Sequence, residues 1–166
     1  MALSPRRFHH GLFHFSNNEC DSNTTNNTNM IDRHQARILA MQALCQLEVL
    51  ADDFMSQLDQ FLADETDHSA IRDYARDLVH DAWQQRKDLD SAIQAVSEHW
   101  DVKRMAAVDR NVIRVAVCEL THRPNVPRHV VIDEAVEIGK AYGTTESAAF
   151  INGLLDAVKG GMKDEG

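Results

Sequence analysis

The chain has 166 residues, 43% hydrophobic and 26% charged, with a formal net charge of −9, which suits one globular domain or two small subdomains sharing a core. A negative field repels phosphate, so any nucleic-acid site has to be a local basic patch or be shared with a basic partner. No stretch reaches the ~20 apolar residues of a membrane span, and Cys20, Cys45 and Cys118 fit neither a disulfide framework nor a CxxC metal site.

Residues 1–30 and 31–166 read as different material. The N-terminal run Phe8 to Phe15 is broken by His9, His10, Gly11 and His14 and does not make a signal peptide. Asn17 to Asn29 holds six Asn and three Thr without a branched-aliphatic or aromatic residue, so residues 1–30 are expected to be a disordered tail. The His9, His10, His14 and Cys20 cluster has nothing to pre-organise it as a metal site.

From Asp32, which is placed to cap the first helix, the apolar period is helical. Ile38, Met41, Leu44, Cys45, Leu47 and Val49 follow a 3–4 spacing. A second short helix is predicted over Asp53 to Ala63, then a polar connection to Ser69. Ile71, Tyr74, Ala75, Leu78, Val79, Ala82 and Trp83 form the face of a third helix, and Asp88 to Trp100 supplies a fourth. After a short turn at Met105–Val108, Asp109 can cap a fifth helix. Its Val112, Ile113, Val115, Ala116, Val117 and Leu120 are apolar nearly all round, which marks it as the central element.

Pro124 and Pro127 bracket a loop. A sixth helix then runs from about Arg128 to Tyr142, with Gly143 where a left-handed C-cap belongs. Thr144 or Thr145 caps the last helix, which carries Phe150, Ile151, Leu154, Leu155 and Val158 and ends at Gly160-Gly161. Seven helices without a strand candidate make the chain all-α.

Several of these segments, in order, resemble the NusB family. The run from Asp109-Arg110-Asn111 through Ile113-Arg114 to Glu119-Leu120 is similar to the family's central helix. Val126-Pro127, then Val131-Ile132-Asp133-Glu134-Ala135-Val136-Glu137, and finally Phe150-Ile151-Asn152-Gly153-Leu154-Leu155-Asp156 continue the pattern. Ala36-Arg37, Gln42-Ala43-Leu44, Asp77-Leu78-Val79 and Trp100 fit weaker positions, so the resemblance covers about residues 33–158.

The resemblance implies two packed three-helix bundles, without cofactor, metal or catalysis. It also implies a cytoplasmic RNA-binding adaptor. Such a protein pairs with the ribosomal protein NusE on the boxA element of nascent ribosomal RNA, and acts indirectly with other Nus factors and RNA polymerase to promote read-through. The same fold also fronts some ribosomal RNA methyltransferases, but the chain stops at Gly166 without their Gly-rich cofactor domain.

By family position, RNA contacts are expected at Arg33, His34 and Arg37 in the first helix, and at Lys140, Tyr142 and Phe150 near the last two. Relatives are arginine-rich at the first place; Arg33-His34-Gln35-Ala36-Arg37 is a reduced version. If Arg33, Arg37 and Lys140 all touch phosphate, the log–log salt slope for single-stranded RNA is about −2. Phe150 either stacks on a base or joins Leu154 in the core. The NusE-facing positions are Cys45, Lys103 and Asp109, where an acidic surface would meet a cationic partner.

Asp133, Glu134 and Glu137 have no His at ligand spacing and read as a solvated acidic face. Gly153 within a helix costs ~1 kcal/mol against Ala, which suggests a close helix–helix approach there, with Asn152 satisfying backbone. The rival to an RNA adaptor is a non-catalytic interaction module, a homodimer with its RNA face occluded.

Overall fold

The computed structural model describes the backbone of residues 28–161 and the side chains of residues 33–158; the tail expected over residues 1–30 lies almost wholly outside them. Among the described residues eight α-helices follow one another: α1 (Thr28–Leu50), α2 (Asp52–Met55), α3 (Leu58–Glu65), α4 (Ser69–Gln84), α5 (Arg86–Val96), α6 (Ala107–His122), α7 (Arg128–Tyr142) and α8 (Ser147–Gly161). A single 3₁₀ turn (Val102–Arg104) precedes α6, and no strand occurs among the described residues.

The all-α reading holds, with several boundaries moved. Helix α1 begins at Thr28, so Asp32 lies within it rather than capping it. The expected helix Asp53–Ala63 is two pieces. The Ser56 hydroxyl and the Gln57 side-chain amide both donate to the Asp53 carbonyl, at 2.9 and 3.0 Å, and divert it from a continuous helix. Helix α6 starts two residues before Asp109, with Ala106 at its N-cap, so Asp109 is a first-turn acid rather than the cap.

Gly143 has φ −92° and is not a left-handed C-cap. It is small because a Cβ there would lie 2.7 Å from the Gly139 carbonyl oxygen and from Ser147 Cβ. Thr144 opens the turn into α8, its N–H donating to Ser147 Oγ at 2.9 Å while the Ser147 N–H donates to the Thr144 carbonyl at 3.1 Å.

The helices pack as two bundles, α1, α3 and α4 on one side and α6, α7 and α8 on the other, with α5 against α6 and α8. Helix α6 also packs on α1 and α4 and so joins the bundles. Every residue from Asn111 to Glu119 is buried, as its all-round apolar pattern requires. Leu39, Met41, Leu44 and Leu47 of α1, Leu78 and Val79 of α4, and Ile151 and Leu155 of α8 close the core around it. Burying each such large side chain contributes roughly 1.5–3 kcal/mol.

The close helix approach sits at Gly139, not at Gly153. A Cβ on Gly139 would overlap Ile151 Cδ1, whereas one on Gly153 meets nothing within 4 Å. Gly153 and Asn152 both face solvent, which removes the packing role expected for them.

Candidate nucleic-acid interface

Two charged side chains within the core join the bundles. Glu119 of α6 is 0% exposed and Arg37 of α1 only 3%. Arg37 Nε and Nη2 donate to the two Glu119 carboxylate oxygens at 2.7 and 3.0 Å, a bidentate fork. The Tyr74 hydroxyl of α4 donates to Glu119 at 2.6 Å. Burial, reinforced by that bond to a carboxylate, pushes the Tyr74 hydroxyl up to about 12, which keeps it a donor. Burial alone would lower the Arg37 guanidinium; Glu119 overrides it and holds the group above its ordinary value.

This fixes Arg37 in the core, turned away from the surface on which a phosphate contact was expected. All its acceptors are internal, because an unpaired guanidinium there would be strongly destabilising.

The network reaches the surface at α7. Arg37 Nη1 donates to Glu134 at 3.3 Å, and His34 Nδ1 meets the same Glu134 oxygen at 2.6 Å. Burial works against ionised Glu134, but His34 and Arg37 together hold its carboxyl below the usual range. Glu134 is therefore half-buried and paired rather than part of a solvated acidic face, while Asp133 and Glu137 remain exposed.

Of the other expected RNA residues, Arg33 adjoins this junction through Tyr74. Arg33 lies one position before His34, its guanidinium carbon 5.3 Å from the centre of the Tyr74 ring. Lys140 is exposed in the last turn of α7. Tyr142 and Phe150 are half-buried, each with one side packed on the core. Gln35 of α1 lines an open cleft with Asp64, Glu65, Thr66, Asp67 and His68. Glu65 also acts electrostatically on Tyr142, so the start of α1, the α3–α4 connection and the end of α7 share one face. The start of α1 that carries Arg33 and His34 thus has the acidic α3–α4 connection as a neighbour that repels phosphate.

A second network occupies the other end of α6. Arg110 donates through Nε and Nη2 to Glu48 at 2.7 and 2.6 Å. Arg114 reaches Glu48 at 2.5 Å and grips Asp90 through two 2.7 Å bonds. Burial would raise Glu48, but Arg110 and Arg114 prevail and keep it below the carboxylate range. The sequence reading missed this set, although Arg110 and Arg114 in an otherwise apolar helix signal buried pairing.

Of the three expected partner residues, only Lys103 is exposed. Cys45 is 1% exposed, its thiol donating to the Ala107 carbonyl at 3.6 Å and accepting from the Asn111 amide at 3.4 Å. Burial pushes that thiol up to about 11. Asp109 is 9% exposed, and its Oδ1 has no hydrogen-bond partner. The start of α6 lies against Cys45 through the Ala107 carbonyl, and Asp109 belongs to the first turn of that same helix, so neither side chain is openly presented at the surface. Among the described residues, the large apolar side chains most open to solvent are Val49 and Trp100, at 59% and 61%. Trp100 is carried on a loop pinned by Gln94 and Ser97, which donate to its carbonyl at 3.2 and 2.8 Å.

The model of the NusB family matches residues 34–159, which spans every network described above. The chain belongs to the NusB family. It is 47% identical over 131 residues to the transcription antitermination protein NusB of Anaeromyxobacter dehalogenans, covering 78% of this chain and 92% of that protein. The NusB protein of Symbiobacterium thermophilum is 40% identical over 141 residues, covering 80% and 92%. Among solved structures, T. maritima NusB has a TM-score of 0.67 at 35% identity, covering 76% of this chain and 89% of that one. A chain from a complex of antitermination factors NusB and NusE with double-stranded RNA has the same fold, with a TM-score of 0.72 at 24% identity, covering 80% and 99%. No helix among the described residues is long and apolar enough to cross a membrane.

Proposed function

We propose that this chain is a non-catalytic transcription antitermination factor of the cytoplasm. It binds the boxA element of ribosomal RNA transcripts together with NusE, and so acts indirectly with other Nus factors to promote read-through by RNA polymerase. Its likeness to antitermination proteins over 92% of their length carries this reading, and the NusE- and RNA-bound relative of the same fold supports it. The acting unit starts at about residue 31.

The geometry supports a particular set of contacts. Arg33 and Lys140 supply phosphate-binding cations, His34 presents the ring edge not facing Glu134, and Tyr142 and Phe150 offer ring surface for stacking. With Arg37 withdrawn into the core, two cations at about 0.7 each give a log–log salt slope of about −1.4 on single-stranded RNA. So shallow a slope means weak binding alone, and a basic partner completes the site. Lys103 and the loop carrying Trp100 belong to the surface offered to NusE.

The test is a labelled boxA RNA titrated with the protein at two salt concentrations, with and without NusE. The expected result is weak binding alone, a marked gain with NusE, and a slope near −1.4 for the protein alone. A stable homodimer that ignores boxA even with NusE present would overturn the proposal.

A further inference from the structure

The Tyr74 side chain does two things at once. Its hydroxyl is fixed by Glu119 at 2.6 Å, and Glu119 is in turn clamped by Arg37. Its ring meets two guanidinium groups: Arg33 of α1 at 5.3 Å and Arg123, just beyond α6, at 5.6 Å. Both distances lie within cation–π range. Arg123 already has an anion, donating to Asp81 at 2.9 Å. Arg33 has no carboxylate partner among the described residues. The ring therefore carries one cation whose charge is answered and one left for an external anion.

We propose that Tyr74 is a positioning residue for RNA binding: its immobilised ring holds the Arg33 guanidinium as a preset phosphate-binding cation. The inference rests on the RNA reading above and adds to it a residue of α4, outside the segments from which contacts were expected. The physical reason is entropic. A free arginine gives up rotamer freedom when it grips a phosphate, whereas one already seated on a fixed ring gives up less. This matters most in a chain with few outward cations. The seat is rigid because Tyr74, Glu119 and Arg37 come from three different helices and lock one another.

Two measurements test it. In the first, ¹⁵N relaxation of the Arg33 Nε in the free protein reports its order without any RNA. It is expected to be restrained in the wild type, intermediate in Tyr74→Phe, which keeps the ring without its anchor, and mobile in Tyr74→Leu. In the second, boxA RNA is titrated in the presence and absence of salt added in steps. Tyr74→Leu is expected to weaken binding about two- to fivefold and to make the salt slope less negative by about 0.7. Arg33→Ala should shift the slope equally, and the double variant should shift it no further. Tyr74→Phe keeps the ring but loses the bond to Glu119 that fixes it, so its slope should fall between those of the wild type and Tyr74→Leu.

A Tyr74 of purely structural importance would change melting temperature without changing the slope. An Arg33 Nε that is mobile in the wild type overturns the inference even if Tyr74→Leu does not fold. Wild-type protein that binds RNA with a slope indifferent to Tyr74→Leu overturns this inference alone, whereas wild-type protein that binds no RNA with or without NusE overturns the RNA reading and this inference together.

Discussion

Replacing Glu119 by Gln removes one charge and changes almost no volume, so it isolates the electrostatics of the core. Glu119 is fully buried and accepts three hydrogen bonds, two from Arg37 and one from Tyr74. Whichever way the new amide turns, its NH2 confronts an N–H of Arg37, because the two arginine nitrogens address different oxygens. Arg37 then keeps one neutral bond to the amide oxygen, and the longer 3.3 Å bond to Glu134 is its one remaining contact with a carboxylate. Breaking a buried pair by removing one partner costs about 3–5 kcal/mol. The surviving contact to Glu134 and the amide's remaining oxygen place this case near the lower end. At 2–4 °C per kcal/mol for a chain of this size, the melting temperature should fall by about 6–12 °C.

Urea unfolding of Glu119→Gln, Arg37→Met and the double variant Arg37→Met/Glu119→Leu measures the coupling directly. The double variant should be more stable than either single one, since two apolar side chains of similar volume leave no orphaned charge. A Glu119→Gln protein within about 1 kcal/mol of wild type, or a double variant less stable than both singles, would refute the argument that this pair is desolvated and mutually dependent.

Two glycines of neighbouring helices should respond in opposite directions. Gly139→Ala drives a methyl into Ile151 and should destabilise by about 1–3 kcal/mol, whereas Gly153→Ala meets open space and should stabilise by about 0.5–1 kcal/mol; paired thermal melts check both. Acid should weaken the fold through Glu48 and Glu134, whose folded-state pKa values are depressed by their cationic partners despite burial. Their contribution is present above the unfolded glutamate value, about 4.3, and is lost as pH falls through the lower folded values. The melting temperature should thus hold between pH 7 and about 5 and then drop, with a shallower acid limb in Glu134→Gln.

Periodicity made the helices legible because most of them bury one stripe, and the all-round apolar pattern of α6 correctly marked the central element. What it could not reveal was the fate of polar side chains on core-facing positions. Arg37 precedes Met41, Leu44 and Glu48 in one row of α1, and Glu119 follows Val115 by four residues in α6. Charges in those registers have to find one another, but their partners are 82 residues apart and visible only in the folded chain. Arg37 therefore read as a surface cation. The burial of Cys45 was hidden differently: its position along α1 was legible, but its covering by the start of α6 was not. The break between α2 and α3 escaped notice because its agents are Ser56 and Gln57, ordinary residues whose side chains compete for a backbone carbonyl. Gly153 misled because a helical glycine implies close packing only where something stands opposite it.

The seating of α6 in both bundles bears on how the chain comes apart. Neither half owns a complete interior: removing α6 would strip α1 and α4 of one wall and α7 and α8 of another. Opening either half exposes one of two ionic clusters as well as aliphatic surface, so partial unfolding has no inexpensive intermediate. Melting should therefore be a single cooperative event, in which the two bundles share one fate despite their separate places in the chain.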